Sequence, residues 1–285
     1  MQPPLPSLTT VWHNETYATI SPTRPELSAA GKTVVITGAG SGLGRAIALS
    51  FSRAQASRMV LLGRNENNLQ ETQRMLSCTS TSVHPVSVTD EETLNHIAAT
   101  VGTWDVLVLA AGYASTPALI QDTDTEDWWE CFETNVKGTM VPSKVFLPTA
   151  NPSTAAIIAL TSGPVVYPPA IMPAYSAYFV SKLALQKLIE FIGAGNPGIF
   201  TAALHPGMVD TALFRKSGAE PGKVPVDKPE LSGDFTVWLA SPEASFLTGR
   251  VVWANWDVQE LQGMAEKIQS GLLLTSGAYG WPFGQ

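Results

Sequence analysis

From residue 31 onward the chain alternates between short apolar, β-branched runs and longer stretches whose apolar side chains recur at helical spacing. Residues 33–37 (TVVIT), bounded by Gly31 and Gly38, are a run of the first kind, and Ala46, Ile47, Phe51 and Ala54 follow at helical intervals. A continuous apolar run flanked by glycine predicts a buried strand, and the period that follows predicts the helix covering it. The same reading predicts strands at 59–62, 83–88, 106–110, 155–160, 199–204 and 250–254. It predicts helices at 68–76, 91–101, 125–139, 174–192 and 229–239, with Asp90 as the N-cap of the second.

Strands alternating with helices at this spacing imply an α/β fold: a doubly wound parallel sheet of about seven strands with both faces covered. No internal repeat interrupts it, so one domain is expected over residues 31–258. Residues 1–30 are rich in Pro and Thr without apolar periodicity, and predict an arm laid on the surface or a disordered tail. Residues 259–285 form a C-terminal extension in which Trp281 and Phe283 are available to pack on a neighbour.

Composition narrows the function classes. Apolar residues make up 45% of the chain and charged residues only 14%, against roughly 25% in an average soluble protein. A sparsely charged surface is what an oligomer needs. The net charge of −7, with no Lys/Arg run, offers nothing to nucleic acid or an anionic membrane. Residues 145–181 lack ionisable Asp, Glu, Lys, Arg and His, but six prolines interrupt them, so a lipid-spanning helix is not expected there. Two cysteines, Cys78 and Cys131, make no disulfide framework and read as ordinary packed thiols, and no secretory leader is visible. Both features point to the cytoplasm. The four histidines are scattered and no Cys/His cluster exists, so no metal site is expected.

The join between the first strand and the first helix reads Thr37-Gly38-Ala39-Gly40-Ser41-Gly42-Leu43-Gly44. Glycines there let the backbone turn tightly and approach a pyrophosphate, and the helix start supplies unpaired N–H groups and the positive end of its dipole. Further along, Tyr178 and Lys182 stand at i and i+4, which on a helix share one face. A cation beside a phenol is expected to lower its pKa by ~1–3 units, poising it for acid/base work on a carbonyl or alcohol oxygen.

The spacing of Gly38, Gly42 and Gly44, followed in order by four further motifs over residues 31–258, resembles the short-chain dehydrogenase/reductase family, whose fold is Rossmann-like. The arm and the 249–261 segment look like those of filamentous-fungal members. The resemblance implies that Ser162, after the fifth strand, holds the substrate oxygen, with Thr161 as a substitute. It implies that Asn135 links a water chain to Lys182. It also implies that Pro206, Gly207, Val209 and Thr211 border the nicotinamide, the backbone near Val209 and the Thr211 hydroxyl holding its carboxamide. His205 reads as structural. Tyr175 lies at the spacing from Ser162 that the family commonly shows, but has Phe179 rather than a cation at i+4; Tyr178 is therefore taken as the acid/base, with extra residues in 163–173.

The chain departs from the family at two places. The usual NNAG is Leu109-Ala110-Ala111-Gly112, so a polar contact and some sheet hydrogen bonding must come from elsewhere. The usual Asp at the end of the third strand is Ser87, so adenine recognition is expected to be weaker than usual or to rest on backbone near Val88. Cofactor choice is read from Gly63-Arg64-Asn65. An acidic residue here would accept from both ribose hydroxyls, whereas Arg64 suits a 2′-phosphate. NADP(H) is expected over NAD(H), with NAD(H) still admitted.

Together these features predict an oxidoreductase moving a hydride between NADP(H) and a carbonyl or secondary alcohol of a small molecule. The walls expected for its pocket, Tyr113 and residues 163–173 and 208–214, are mostly apolar, so an apolar ketone or alcohol is expected. A redox-neutral isomerase or cyclase on the same fold, or a non-catalytic cofactor-binding protein, are the alternatives. The helices at 125–139 and 174–192 resemble those that pair subunits in the family, implying a homodimer or homotetramer.

Overall fold

All seven strands of the computed structural model, which describes residues 6–77, 80–220, 222 and 225–277, run parallel in one sheet. They are β1 (Thr33–Thr37), β2 (Arg58–Gly63), β3 (Ser80–Pro85), β4 (Val106–Leu109), β5 (Ala156–Leu160), β6 (Phe200–His205) and β7 (Arg250–Trp253), in the order β3-β2-β1-β4-β5-β6-β7. The order reverses between β1 and β4, which opens a crevice beyond the carboxyl ends of the strands. The expectations for Cys78, Trp281 and Phe283 lie outside the described residues.

Strand side chains alternate between two cores. Val34 and Ile36 of β1 join Ile47 and Phe51 of α1 (Gly42–Arg53) and Phe235 and Trp238 of α8 (Pro229–Leu239) on one face. Val35 points the other way, with Leu107 and Leu109 of β4 and with Phe146, Leu185 and Ile189. That second face is covered by α3 (Glu91–Val101), α5 (Gly138–Phe146) and α6 (Ser176–Gly195). Asp90 does cap α3, accepting from the Thr93 N–H at 3.1 Å. The helix after β2 is α2 (Glu66–Met75), capped by Asn65, and α4 (Thr125–Phe132) follows β4.

Three elements differ from the expected ones. The third strand ends at Pro85 rather than 88. Val86 and Val88 are buried, and their apolar character records contact with the core and with Gly138 rather than membership of the ladder. The helix expected at 125–139 runs on to Phe146 through a π-helical turn at Glu133–Lys137. That turn rotates Asn135 into the interior, where it is fully buried. The segment expected as an arm or tail packs against the first core through Trp12, Ile20 and Leu27. Beyond β7, α9 (Val258–Gly263) and α10 (Ala265–Gln269) bury Leu261 and Ile268 in that same core. The boundary expected at 258 thus falls on the first residue of α9. No helix among the described residues is long and apolar enough to cross a membrane.

Candidate active site

The crevice contains a cavity of about 830 Å³. At one end lies the glycine loop. Gly38 and Gly42 have φ of +66° and +50°, and a Cβ on Gly44 would collide with the Gly38 carbonyl. A Cβ on Gly38 would meet the Ala111 backbone at 2.8 Å. Glycine is thus demanded where β1 and the end of β4 touch. Ser41, the N-cap of α1, makes no side-chain capping bond, so the first N–H groups of α1 stay free for a ligand. Leu43 lines the same wall.

Arg45, which carries no motif in the sequence, holds this loop from behind. Its guanidinium donates to the Gly40 carbonyl at 2.6 Å, to Thr72 Oγ1 at 3.0 Å and to Glu71 at 2.7 Å. Thr72 in turn donates to the Ala39 carbonyl at 2.9 Å. No local signal marks Arg45, because its side-chain partners come from α2. Where the family has asparagines, Thr37 supplies a polar tie between β1 and the end of β4: its hydroxyl accepts from the Ala111 N–H at 3.1 Å.

Gly63, Arg64, Ser87 and Val88 line the cavity beside the loop. Arg64 is exposed and has no hydrogen-bond or ion-pair partner among the described residues, so its guanidinium is available to a ligand. Ala111, Gly112, Tyr178, Lys182, Pro206 and Thr211 line the cavity as well. The expected Gly207 and Val209 do not: Val209 faces an adjoining cavity of about 300 Å³, and Gly207 lines neither. The Thr211 hydroxyl also caps the short helix α7 (Ala212–Lys216), accepting from the Phe214 N–H at 3.2 Å. Asp210 and Arg215, an ion pair at 2.7 Å, border the cavity too.

Lys182 is buried, and its Nζ donates to the Leu160 carbonyl at 2.8 Å. Burial pulls its pKa down to about 8. Its Nζ stands 5.8 Å from the centre of the Tyr178 ring. The Tyr178 hydroxyl is hydrogen-bonded to Ser162. The expected drop in the Tyr178 pKa is not found. Removal of its hydroxyl from water, aided by the nearby Cys131, pushes the phenol above its ordinary value, and the Ser162 bond offsets only part of that. The ammonium faces the Leu160 carbonyl rather than the phenol oxygen, which is why it does not reverse the shift.

Neighbouring candidates are otherwise engaged. Tyr175 donates to the Ser217 carbonyl at 2.8 Å and stacks on Phe179. The Thr161 hydroxyl lies between the Lys182 carbonyl and the Gln186 amide. His205 is buried edge-on to Trp253 and held neutral, its pKa depressed to about 3 by burial. Asn135 accepts from the Tyr113 N–H and donates to the Tyr113 carbonyl and to Ser181 Oγ, all at 2.9 Å. Its amide therefore fixes the segment after Gly112 beside Lys182. Tyr113 further donates to Asp127, and Lys216 lies 3.7 Å over the Tyr113 ring. That cluster, joining three segments far apart in the chain, had no signature in the sequence. No group of metal-ligating side chains occurs among the described residues.

A parallel sheet with a glycine-lined crevice at the β1/β4 divide and a Tyr/Lys/Ser group at its far end is matched in known proteins. The family described as short chain dehydrogenase matches residues 32–222. The chain belongs to that family, and so to the oxidoreductases that use NAD(P). It is 34% identical to a short chain dehydrogenase of Monascus purpureus over 274 residues, covering 91% of this chain and 92% of that one. It is 32% identical to a short chain dehydrogenase/reductase of Claviceps purpurea, covering 96% and 94%. Both are filamentous fungi. Among solved structures, a short chain dehydrogenase from Pseudomonas syringae, described there as putative, superposes with a TM-score of 0.74 at 23% identity over 82% of this chain and 98% of that one. An alcohol dehydrogenase of Thermococcus sibiricus complexed with 5-hydroxy-NADP gives 0.65 at 24% identity, over 73% and 89%. Both carry the same fold.

The buried ammonium has a consequence for stability. Unfolded, Lys182 returns to its ordinary value of 10.5, whereas folded it lies near 8. The unfolded chain therefore binds more protons between those limits, and Lys182 makes stability rise with pH across that window and penalises the fold fully below it. Lys182→Met is expected to flatten that rise and to stabilise the cofactor-free protein at pH 7, by up to about 3 kcal/mol. Urea unfolding of both forms at pH 7 and pH 10 reads this directly. An unchanged difference between the two pH values would show that the lysine is not held in a desolvated state.

Proposed function

We propose that this protein is an NADP(H)-dependent carbonyl reductase or alcohol dehydrogenase acting on a small apolar ketone or alcohol. The observation that carries the reading is the meeting of Tyr178 and the buried Lys182 in the cavity that starts at the glycine loop, with Ser162 behind the phenol. The low cysteine content supports a cytoplasmic setting.

The residues fit a dinucleotide. The free N–H groups at the start of α1, with Ser41, Gly42, Leu43 and Gly44, would hold the pyrophosphate, and Gly38 gives it room. Arg64 would hold the 2′-phosphate. Ser87, Val88, Ala111 and Gly112 would border the adenosine, and Pro206 and Thr211 the carboxamide. When bound, the nicotinamide supplies the hydride.

The chain's own part is proton control and orientation. Tyr178, a phenol and so protonated at neutral pH, donates its proton to the substrate oxygen as negative charge grows there. Ser162 holds the same oxygen in line with the phenol. Lys182 would hold the nicotinamide ribose. Asn135 fixes the Tyr113 wall next to Lys182.

Removing the proton donor while keeping the ring, Tyr178→Phe, should lower turnover by ~100-fold or more with folding intact, whereas Tyr175→Phe should be mild. Near-normal turnover in the first variant, or the reverse ranking, sinks the assignment. Arg64→Ala should weaken NADPH binding roughly 10- to 100-fold, the scale of one charged hydrogen bond, and spare NADH. Equal loss of both cofactors in a titration would remove Arg64 as the phosphate reader. Finally, Trp129 of α4, Met140 of α5, and Val180, Leu183 and Phe191 of α6 are exposed apolar side chains. Their concentration on these helices supports a homodimer or homotetramer, and a monomer by light scattering at micromolar concentration would contradict it.

A further inference from the structure

Residues 9–17 are bound by a series of carboxylates on the C-terminal half of the chain. Glu260 accepts from the Thr10 N–H, the Thr10 hydroxyl and the Val11 N–H at 2.7, 2.8 and 3.0 Å. His13 pairs with Asp257 at 2.9 Å, and Thr16 donates to Asp234 at 2.6 Å. These contacts anchor the arm to α8 and to the start of α9.

Asn14 is different, because its partner reaches the site. Asn14 Nδ2 donates to Asp227 Oδ1 at 2.6 Å, and the Asn14 carbonyl accepts from the Lys228 N–H at 2.8 Å. Asp227 is buried, and its other oxygen accepts from the Met208 N–H at 2.7 Å. The Asp227 N–H returns to the Met208 carbonyl at 2.6 Å. Both polar groups of the Met208 backbone are thus held by one residue. The preceding Gly207 has φ of +85°, and a Cβ there would collide with Asp227 Oδ2. The backbone conformation at 207–208 is therefore set against the Asp227 carboxylate. Asp227 also borders the smaller cavity shared by Gly42, Val209 and Thr211.

We propose that Asn14 and Asp227 are positioning residues for the nicotinamide segment, the N-terminal arm fixing residues 206–209 through the Asp227 carboxylate. This rests on the assignment above of that segment to the carboxamide. Without the Asn14 amide, a buried carboxylate loses one of its donors and is free to swing from Met208, so the wall at 206–209 loses its fixed place. Both residues lie outside the stretch 32–222 that matches the family pattern. The arm therefore serves the site as well as the core.

The test compares Asn14→Ala with Thr16→Val, which loosens the same arm at Asp234. Three quantities are read: backbone hydrogen exchange over residues 206–209 without cofactor, emission of bound NADPH, and kcat against a ketone panel. Asn14→Ala is expected to speed exchange at Met208 and to weaken the enhancement of nicotinamide emission. It should lower kcat at least about 10-fold, the cost of a misplaced reacting group, while NADPH affinity, set mainly at the phosphates, stays within about 3-fold. Thr16→Val should leave all three near the parent values. Asn14→Ser, which keeps a polar side chain, gives the same comparison if the alanine variant does not accumulate. Matching behaviour of the Asn14 and Thr16 variants overturns the proposal, because a purely structural arm predicts it. Exchange and emission need no turnover, so an altered Met208 with no ketone reduced by the parent would retain the relay and reject the reductase reading.

Discussion

The site is organised around an ammonium kept away from water. Lys182 carries a charge inside the protein with no carboxylate paired to it among the described residues, an arrangement that is expensive unless hydrogen bonds compensate. Its structural compensation is the Leu160 carbonyl, the last residue of β5. The requirement fixes much else. It sets the depth at which α6 sits against the sheet, through Leu185 and Ile189 in the second core. It places Tyr178, one turn earlier on α6, beside Ser162, which follows β5 by two residues. A site that holds a destabilised cation in readiness has polar partners prepared for what binds there, and it gives up stability to do so.

At the other end of the cavity the governing constraint is closeness of backbones. Gly38 and Gly44 allow the β1–α1 turn to touch itself and the end of β4, leaving the α1 N–H groups directed at the crevice. Arg45 and Thr72 hold that turn from the α2 side. Thr37 ties β1 to the end of β4 by accepting from the Ala111 N–H. The parallel topology collects these parts, since every strand of the sheet points its carboxyl end at the same crevice.

Regular elements were legible because burial is periodic: β1 and β4 sit close to where their apolar runs fall, and α8 matches its expected limits residue for residue. Reading failed where apolar character and hydrogen bonding part company, as at Val86 and Val88. The glycine loop and the Tyr178/Lys182 spacing were readable, being local in sequence. The pKa of Tyr178 was not, because it depends on which way Lys182 Nζ points and how far the phenol is from water. Likewise the docking of residues 9–17 on four carboxylates, and the Tyr113–Asp127–Lys216 cluster, join segments whose proximity only the fold creates.

The central claim is that this Tyr/Ser/Lys group serves a hydride transfer rather than a redox-neutral rearrangement. The direct measurement is incubation with NADPH deuterated at the transferable C4 position and a panel of apolar ketones, followed by mass spectrometry of the products. The account predicts alcohols carrying one deuterium on the former carbonyl carbon. A substrate converted without deuterium, and without consumption of the cofactor, would contradict it.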